Sequence, residues 1–216
     1  MASYFNLTLD TLAPTISAFT INDGASVTTS RNVTLKITAS GEPASMKIWG
    51  IDGVATESAA SWETFSATKA VTLTSGDGTK TVYIKVRDAV YNESSASSDS
   101  ITLSTAIPTI TITGPDVSVI SEQSGKDTAS FSFQSSMALK AWTVRLVPAN
   151  NSAHDAGTQI PTTGGSTNMS GTTLAANTAK ACTIKGADLA TAAGGTDGTY
   201  IIKVFGQASA NDLWSA

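Results

Sequence analysis

Cysteine and histidine are nearly missing from this sequence: Cys182 and His154 are the only ones in 216 residues. One cysteine excludes a disulfide framework within these residues, and its place in an apolar run predicts a buried thiol. One histidine argues against most imidazole-based catalysis and metal chemistry. Charged residues are only 14% of the chain, where a quarter is usual. The net charge is −4 and the pI about 4.9. No segment is rich in Lys or Arg, so a nucleic-acid footprint is not expected. No apolar run approaches the ~18 residues needed to cross a bilayer, so membrane insertion is not expected either. Residues 1–14 have no basic start and no continuous apolar stretch, which does not fit a secretory signal.

Hydroxyls supply the polarity instead: there are 33 Thr and 28 Ser. With Val and Ile they favour strands over helices. Apolar residues make up 41% of the chain, enough to bury a core. They recur at period two in short runs bounded by Gly, Asn, Asp and Ser, the pattern of antiparallel strands joined by turns. Val33, Leu35, Ile37 and Ala39 fall on one face of such a run, and Val82, Ile84 and Val86 on one face of another. Each run has one dry face and one wet face, as a two-sheet sandwich requires.

The second half repeats markers of the first. Pro14-Thr-Ile16 returns as Pro108-Thr-Ile110, and Leu35-Lys-Ile37 has a counterpart in Phe131-Ser-Phe133. Trp49 is matched to Trp142, and Ile84-Lys-Val86 returns as Ile202-Lys-Val204 after a longer offset. The expected organisation is an arm or strand over 1–12, one domain over 13–105 and a second over 106–216. The extra length of the second is a loop or hairpin around 148–181. The predicted fold is all-β: two tandem Ig-like antiparallel sandwiches with a short extended N-terminal arm. Trp49 and Trp142 are predicted as core hubs, one per sandwich, as in Ig-type cores.

Asp77-Gly-Thr-Lys-Thr-Val-Tyr-Ile-Lys-Val-Arg-Asp-Ala-Val-Tyr-Asn92, followed by Ser98-Asp-Ser-Ile-Thr-Leu103, resembles the last two strands of bacterial and bacteriophage Ig-like repeats. Tyr91 stands where that family has a Gly before Asn, which implies a different turn. The likeness is good over about 9–105; beyond that it rests on the internal repeat. It implies a non-enzymatic spacer, adhesive module or virion component, and specifies fold better than function. The opening Met-Ala-Ser-Tyr-Phe-Asn-Leu-Thr-Leu-Asp10 is similar to the start of small phage structural proteins. Without an export signal, a virion location is expected: a capsid decoration or a collar, tail or fibre component. Its partners would be capsid, portal, neck or tail subunits, in many copies or as a homo-oligomer, with host-surface glycans as a further contact. The alternative is a cell-surface adhesin or a carbohydrate-binding Ig-like module of a secreted protein.

The candidate site residues follow from these readings. Tyr4, Phe5, Leu7 and Leu9 alternate on a segment able to add a strand to a partner's sheet edge. Trp62, Phe65 and Trp214 are candidate glycan or interface aromatics. No cofactor is expected; the weak calcium candidates are Asp88, Asn92 and Asp99, with Asp10, Asp52 and Asp77 near them in turns. His154-Asp155 lies on an irregular loop and no Gly-x-Ser-x-Gly elbow exists, so no hydrolytic triad is expected. Glu42, Glu57 and Glu63 show no pairing suited to glycosidase chemistry.

Overall fold

The computed structural model describes residues 6–150 and 152–215. They form two compact units that meet between Thr105 and Ala106. The first unit contains β1 (Thr15–Ile21), β2 (Val27–Thr28), β3 (Asn32–Ser40), β4 (Ser45–Trp49), β5 (Glu63–Thr64), β6 (Thr68–Thr72), β7 (Gly78–Arg87) and β8 (Ser97–Leu103). One sheet runs β1-β3-β6 and the other β2-β8-β7-β4-β5. All pairs are antiparallel except β2 with β8. First, second and fifth core strands in one layer, with third, sixth and seventh in the other, is the Ig-type division.

The alternation read from the sequence fixes the faces. Val33, Leu35 and Ile37 of β3 and Val82, Ile84 and Val86 of β7 are buried in one cluster with Ile21, Met46, Ile48 and Leu73. Thr34, Lys36 and Thr38, between them, remain exposed. A hydrogen bond ties the layers beyond apolar packing, and a close approach seats the end of β4 against β7 within its own sheet. Asp99 on β8 accepts a 2.7 Å hydrogen bond from the amide of Ile21 on β1. After β4, Gly50 turns with φ 81°, and any Cβ there would lie 2.2 Å from the Thr81 carbonyl oxygen.

The second unit contains β9 (Ile110–Thr113), β10 (Thr128–Ser135), β11 (Leu139–Val147), β12 (Thr158–Gln159), β13 (Ser170–Gly171), β14 (Lys180–Lys185), the helix α1 (Gly186–Ala192) and β15 (Ile201–Ala208). Its layers are β14-β10-β9 and the group in which β12, β13 and β15 all pair with β11. Gln207 bridges to Trp214, which brings the last described residues alongside β15. The core joins Phe133, Leu139, Trp142 and Val144 to Cys182, Ile184 and Val204.

Two features differ from the sequence expectation. The segment around 148–181 is more than a surface excursion: its Ile160, Met169 and Leu174 are buried in the core, and its two short strands pair with β11. A seven-residue helix also follows β14. Ala and Leu favour it locally, and Gly194 and Gly195 with positive φ end it. Among the described residues no helix is long and apolar enough to cross a membrane.

The pairing of Trp49 with Trp142 as equivalent hubs does not hold. Trp142 packs inside the second core, its ring 5.1 Å from that of Phe133. Trp49 is only 8% exposed but lies outside the core cluster, stacked on Tyr83 at 5.5 Å with the rings 7° apart. Parity is the reason: Met46 and Ile48 point inward, so Lys47 and Trp49 point out. The cross-strand register agrees. Ile84 faces Ile48, whereas Ile202 faces Leu146, so the strand position matching Trp49 in the second unit is Val147.

Candidate functional site

The outer face of β4 and β7 carries the densest group of aromatic and charged side chains in the first unit. In register, Trp49 faces Tyr83, Lys47 faces Lys85 and Ser45 faces Arg87. β5 pairs Thr64 with Ser45, which carries Trp62, two residues earlier, beside Lys47. Lys47 Nζ lies 4.9 Å from the centre of the Trp62 ring and Arg87 Cζ lies 4.2 Å from it. Arg87 Cζ is also 4.5 Å from the centre of the Tyr91 ring. The guanidinium is thus held by two aromatic rings, a placement favoured by the ring quadrupoles.

Charge on this face is nearly balanced. Glu57 Oε1 accepts from Lys47 at 2.8 Å and from Lys85 at 2.7 Å, and Glu93 stands 3.8 Å from Lys85. The hydrogen bonds from Lys47 and Lys85 hold the Glu57 carboxyl below the usual carboxylate range. The same bond from Glu57 raises the Lys85 ammonium above its ordinary value. Two lysines therefore meet two glutamates. Arg87 has no carboxylate partner among the described residues, and its Nε is shielded from water with no hydrogen-bond acceptor.

The turn after β7 presents Tyr91. Asp88 is buried, and its carboxylate accepts from the amides of Val90 and Asn92, each at 2.9 Å, and from Asn92 Nδ2 at 2.8 Å. Burial alone would raise the Asp88 pKa; the hydrogen bonds led by Asn92 outweigh it and lower it. Tyr91 takes φ 72° and is 69% exposed. A tyrosine therefore occupies the left-handed conformation that suits glycine, at a cost of about 1–2 kcal/mol.

The other sequence-derived candidates lie elsewhere. Tyr4 and Phe5 lie outside the described residues. Leu7 and Leu9 are both 86% exposed and Leu12 is 78% exposed, on a segment without strand pairing. Phe65 is not an available aromatic: it is half-buried and packs against the first core. Trp214 stacks on His154 at 4.5 Å, so the lone histidine serves as a packing partner for the C-terminal segment.

The calcium candidates are not brought together. Asp88 and Asn92 satisfy one another, whereas Asp99 pairs with Val82, six residues back along β7, about 20 Å at strand spacing. Asp10, Asp52 and Asp77 are engaged with Leu12, Arg31 and Thr105 respectively. Among the described residues no three His, Cys, Asp or Glu side chains form a metal-binding group.

In the second unit, an apolar cleft of about 380 Å³ is lined by Ile112, Val119, Phe131, Leu189 and Tyr200 among others. Ile112 shares the inward face of Phe133 but remains 44% exposed there.

From the sequence, Tyr91 stands out only as a departure at a turn, and Arg87 and Lys47 have no role. Their signal was present: Tyr83, Lys85 and Arg87 alternate with the core residues Val82, Ile84 and Val86, and Tyr91 replaces a turn glycine.

No described protein family matches the chain, and no curated protein is similar to it. Among solved structures it is similar to fibronectin(III)-like modules of Clostridium thermocellum CbhA, at 11% identity over 92% of this chain and 90% of that one, with a TM-score of 0.43. It is similar to the D00-D0 domain of intimin at 11% identity, over 91% and 96% of the two chains, with a TM-score of 0.33. It is also similar to the chitinase ChiA74 of Bacillus thuringiensis at 13% identity and a TM-score of 0.34, over 91% of this chain but 30% of that one. The assignment to two Ig-like sandwiches rests on the strand order and the two cores described above.

Proposed function

We propose that this chain is a non-enzymatic structural protein of a bacteriophage particle, a decoration, collar, tail or fibre component that works by adhesion. Residues 6–12 carry the proposal. They expose three leucines on a segment without strand pairing, immediately before the first sandwich. Apolar side chains in this state suit a partner's open sheet edge, where main-chain bonds give affinity and alternate side chains give register. Repetition on a symmetric particle then turns modest contacts into avidity. The test is removal of residues 1–11. The expected result is loss of incorporation into particles with the melting temperatures of both units unchanged. Normal incorporation of the shortened chain refutes the proposal.

The aromatic and cationic face of the first unit favours a second reading, a surface adhesin or carbohydrate-binding module. The two readings separate on whether the purified chain copurifies with particles or binds a glycan unaided.

A further inference from the structure

We infer that Arg87, held over the rings of Trp62 and Tyr91, is the reading group of a binding site for a carboxylated sugar. Three observations converge on it. The guanidinium lies over two aromatic rings, its central carbon 4.2 and 4.5 Å from their centres. Its side chain has no hydrogen-bond acceptor among the described residues; Nε is shielded from water, so the edge left for a ligand is the terminal Nη1–Nη2 pair. Tyr91 is kept in a strained backbone conformation while exposing most of its ring. Strain of this kind persists where the surroundings enforce it and gathers at ligand-binding positions.

The chemistry selects the ligand. A guanidinium fork matches a planar carboxylate through paired charge-assisted hydrogen bonds. Glu57 and Glu93 already neutralise Lys47 and Lys85, so one positive charge is left for a ligand. That suits an isolated carboxylate on an otherwise uncharged body and disfavours a polyanion. The exposed ring of Tyr91 offers a flat surface for sugar C–H groups beside the fork. An extended acidic peptide has less to hold, because the neighbouring edge strand β5 is only two residues long. This inference concerns the isolated chain and stands whether or not the N-terminal segment anchors it to a particle.

The test is titration of the full chain with sodium D-glucuronate and with N-acetylneuraminate, following the indole N–H resonance of Trp62, identified with Trp62→Phe. D-Glucose, acetate and a glutamate-containing peptide are the comparison ligands. A saturable shift is expected with at least one sugar acid, with the comparison ligands about tenfold weaker or more. Arg87→Lys keeps the charge but loses the fork, and should weaken binding by a similar factor in a first unit that still melts cooperatively. Tyr91→Gly relieves the backbone strain, so it should leave stability equal or higher while weakening binding; a purely structural clamp would not behave so. No saturable shift with either sugar acid overturns the inference. So does equal affinity for glucose or acetate, tighter binding of the peptide, or undiminished binding by Arg87→Lys.

Discussion

Trp142 and Trp49 are both buried, yet their removal has different consequences. Trp142→Ala leaves a cavity inside a packed core and should cost about 3–5 kcal/mol. Trp49→Ala opens an outer face that water can fill, losing the stack with Tyr83 and part of the buried area, about 1–2 kcal/mol. Calorimetry of the two variants checks the order; equal losses would contradict the opposite facing of the two indoles. Asp188 is another residue with a definite signature. Its buried carboxylate accepts from the amides of Gly164 at 2.6 Å and Ser166 at 2.7 Å. Burial alone would raise its pKa, but these bonds prevail and lower it. Its contribution is therefore complete above about pH 4, the ordinary carboxylate range, and fades as pH falls through the lower folded value. Asp188→Asn should destabilise the second unit by about 1–3 kcal/mol at neutral pH. Denaturation at a series of pH values should show the gap to wild type narrowing in acid. At this scale, alternation made the core of β3 and β7 legible. The same parity, applied to Ser45-Met-Lys-Ile-Trp49, would have put the indole beside Lys47. Asp188 carried no such signal, because its partners lie more than twenty positions away.

Among the elements, β13 depends on a close approach. A Cβ on Gly171 would lie 2.5 Å from the Trp142 ring, so the two-residue strand can pair with β11 only where that side chain is missing. Gly171→Ala should cost about 1–3 kcal/mol by overpacking. Chemical denaturation measures this, and an unchanged midpoint would mean that the segment is not seated against the indole. Local sequence showed the strands with strong alternation and their turns. It did not show β12 and β13, whose Thr, Ser and Gly have no periodicity and are fixed by β11. Nor did it show α1, seven residues whose pattern is too short to register against the surrounding strands. The insertion reads as a loop or hairpin with no core role, because Ile160, Met169 and Leu174 are too widely spaced to suggest a face, although all three reach the core.

For the whole molecule, each unit has its own core, so a substitution in one should move one melting transition and leave the other in place. The order of repeated markers pointed to two sandwiches, and the strand order displays them. The aromatic and charged cluster was harder to foresee, since it depends on which outer faces gather cations and rings from separate strands. Cys182 brings a further consequence. Its thiol is buried in the second core, and burial pushes its pKa up to about 11. Thiolate is the nucleophilic form, so at pH 8 this sulfur should resist a thiol reagent until the unit unfolds. Reductant should move neither melting transition. A fold with a single cysteine has no internal cross-link to break, and with that thiol buried it does not depend on a reducing or an oxidising medium to keep its shape.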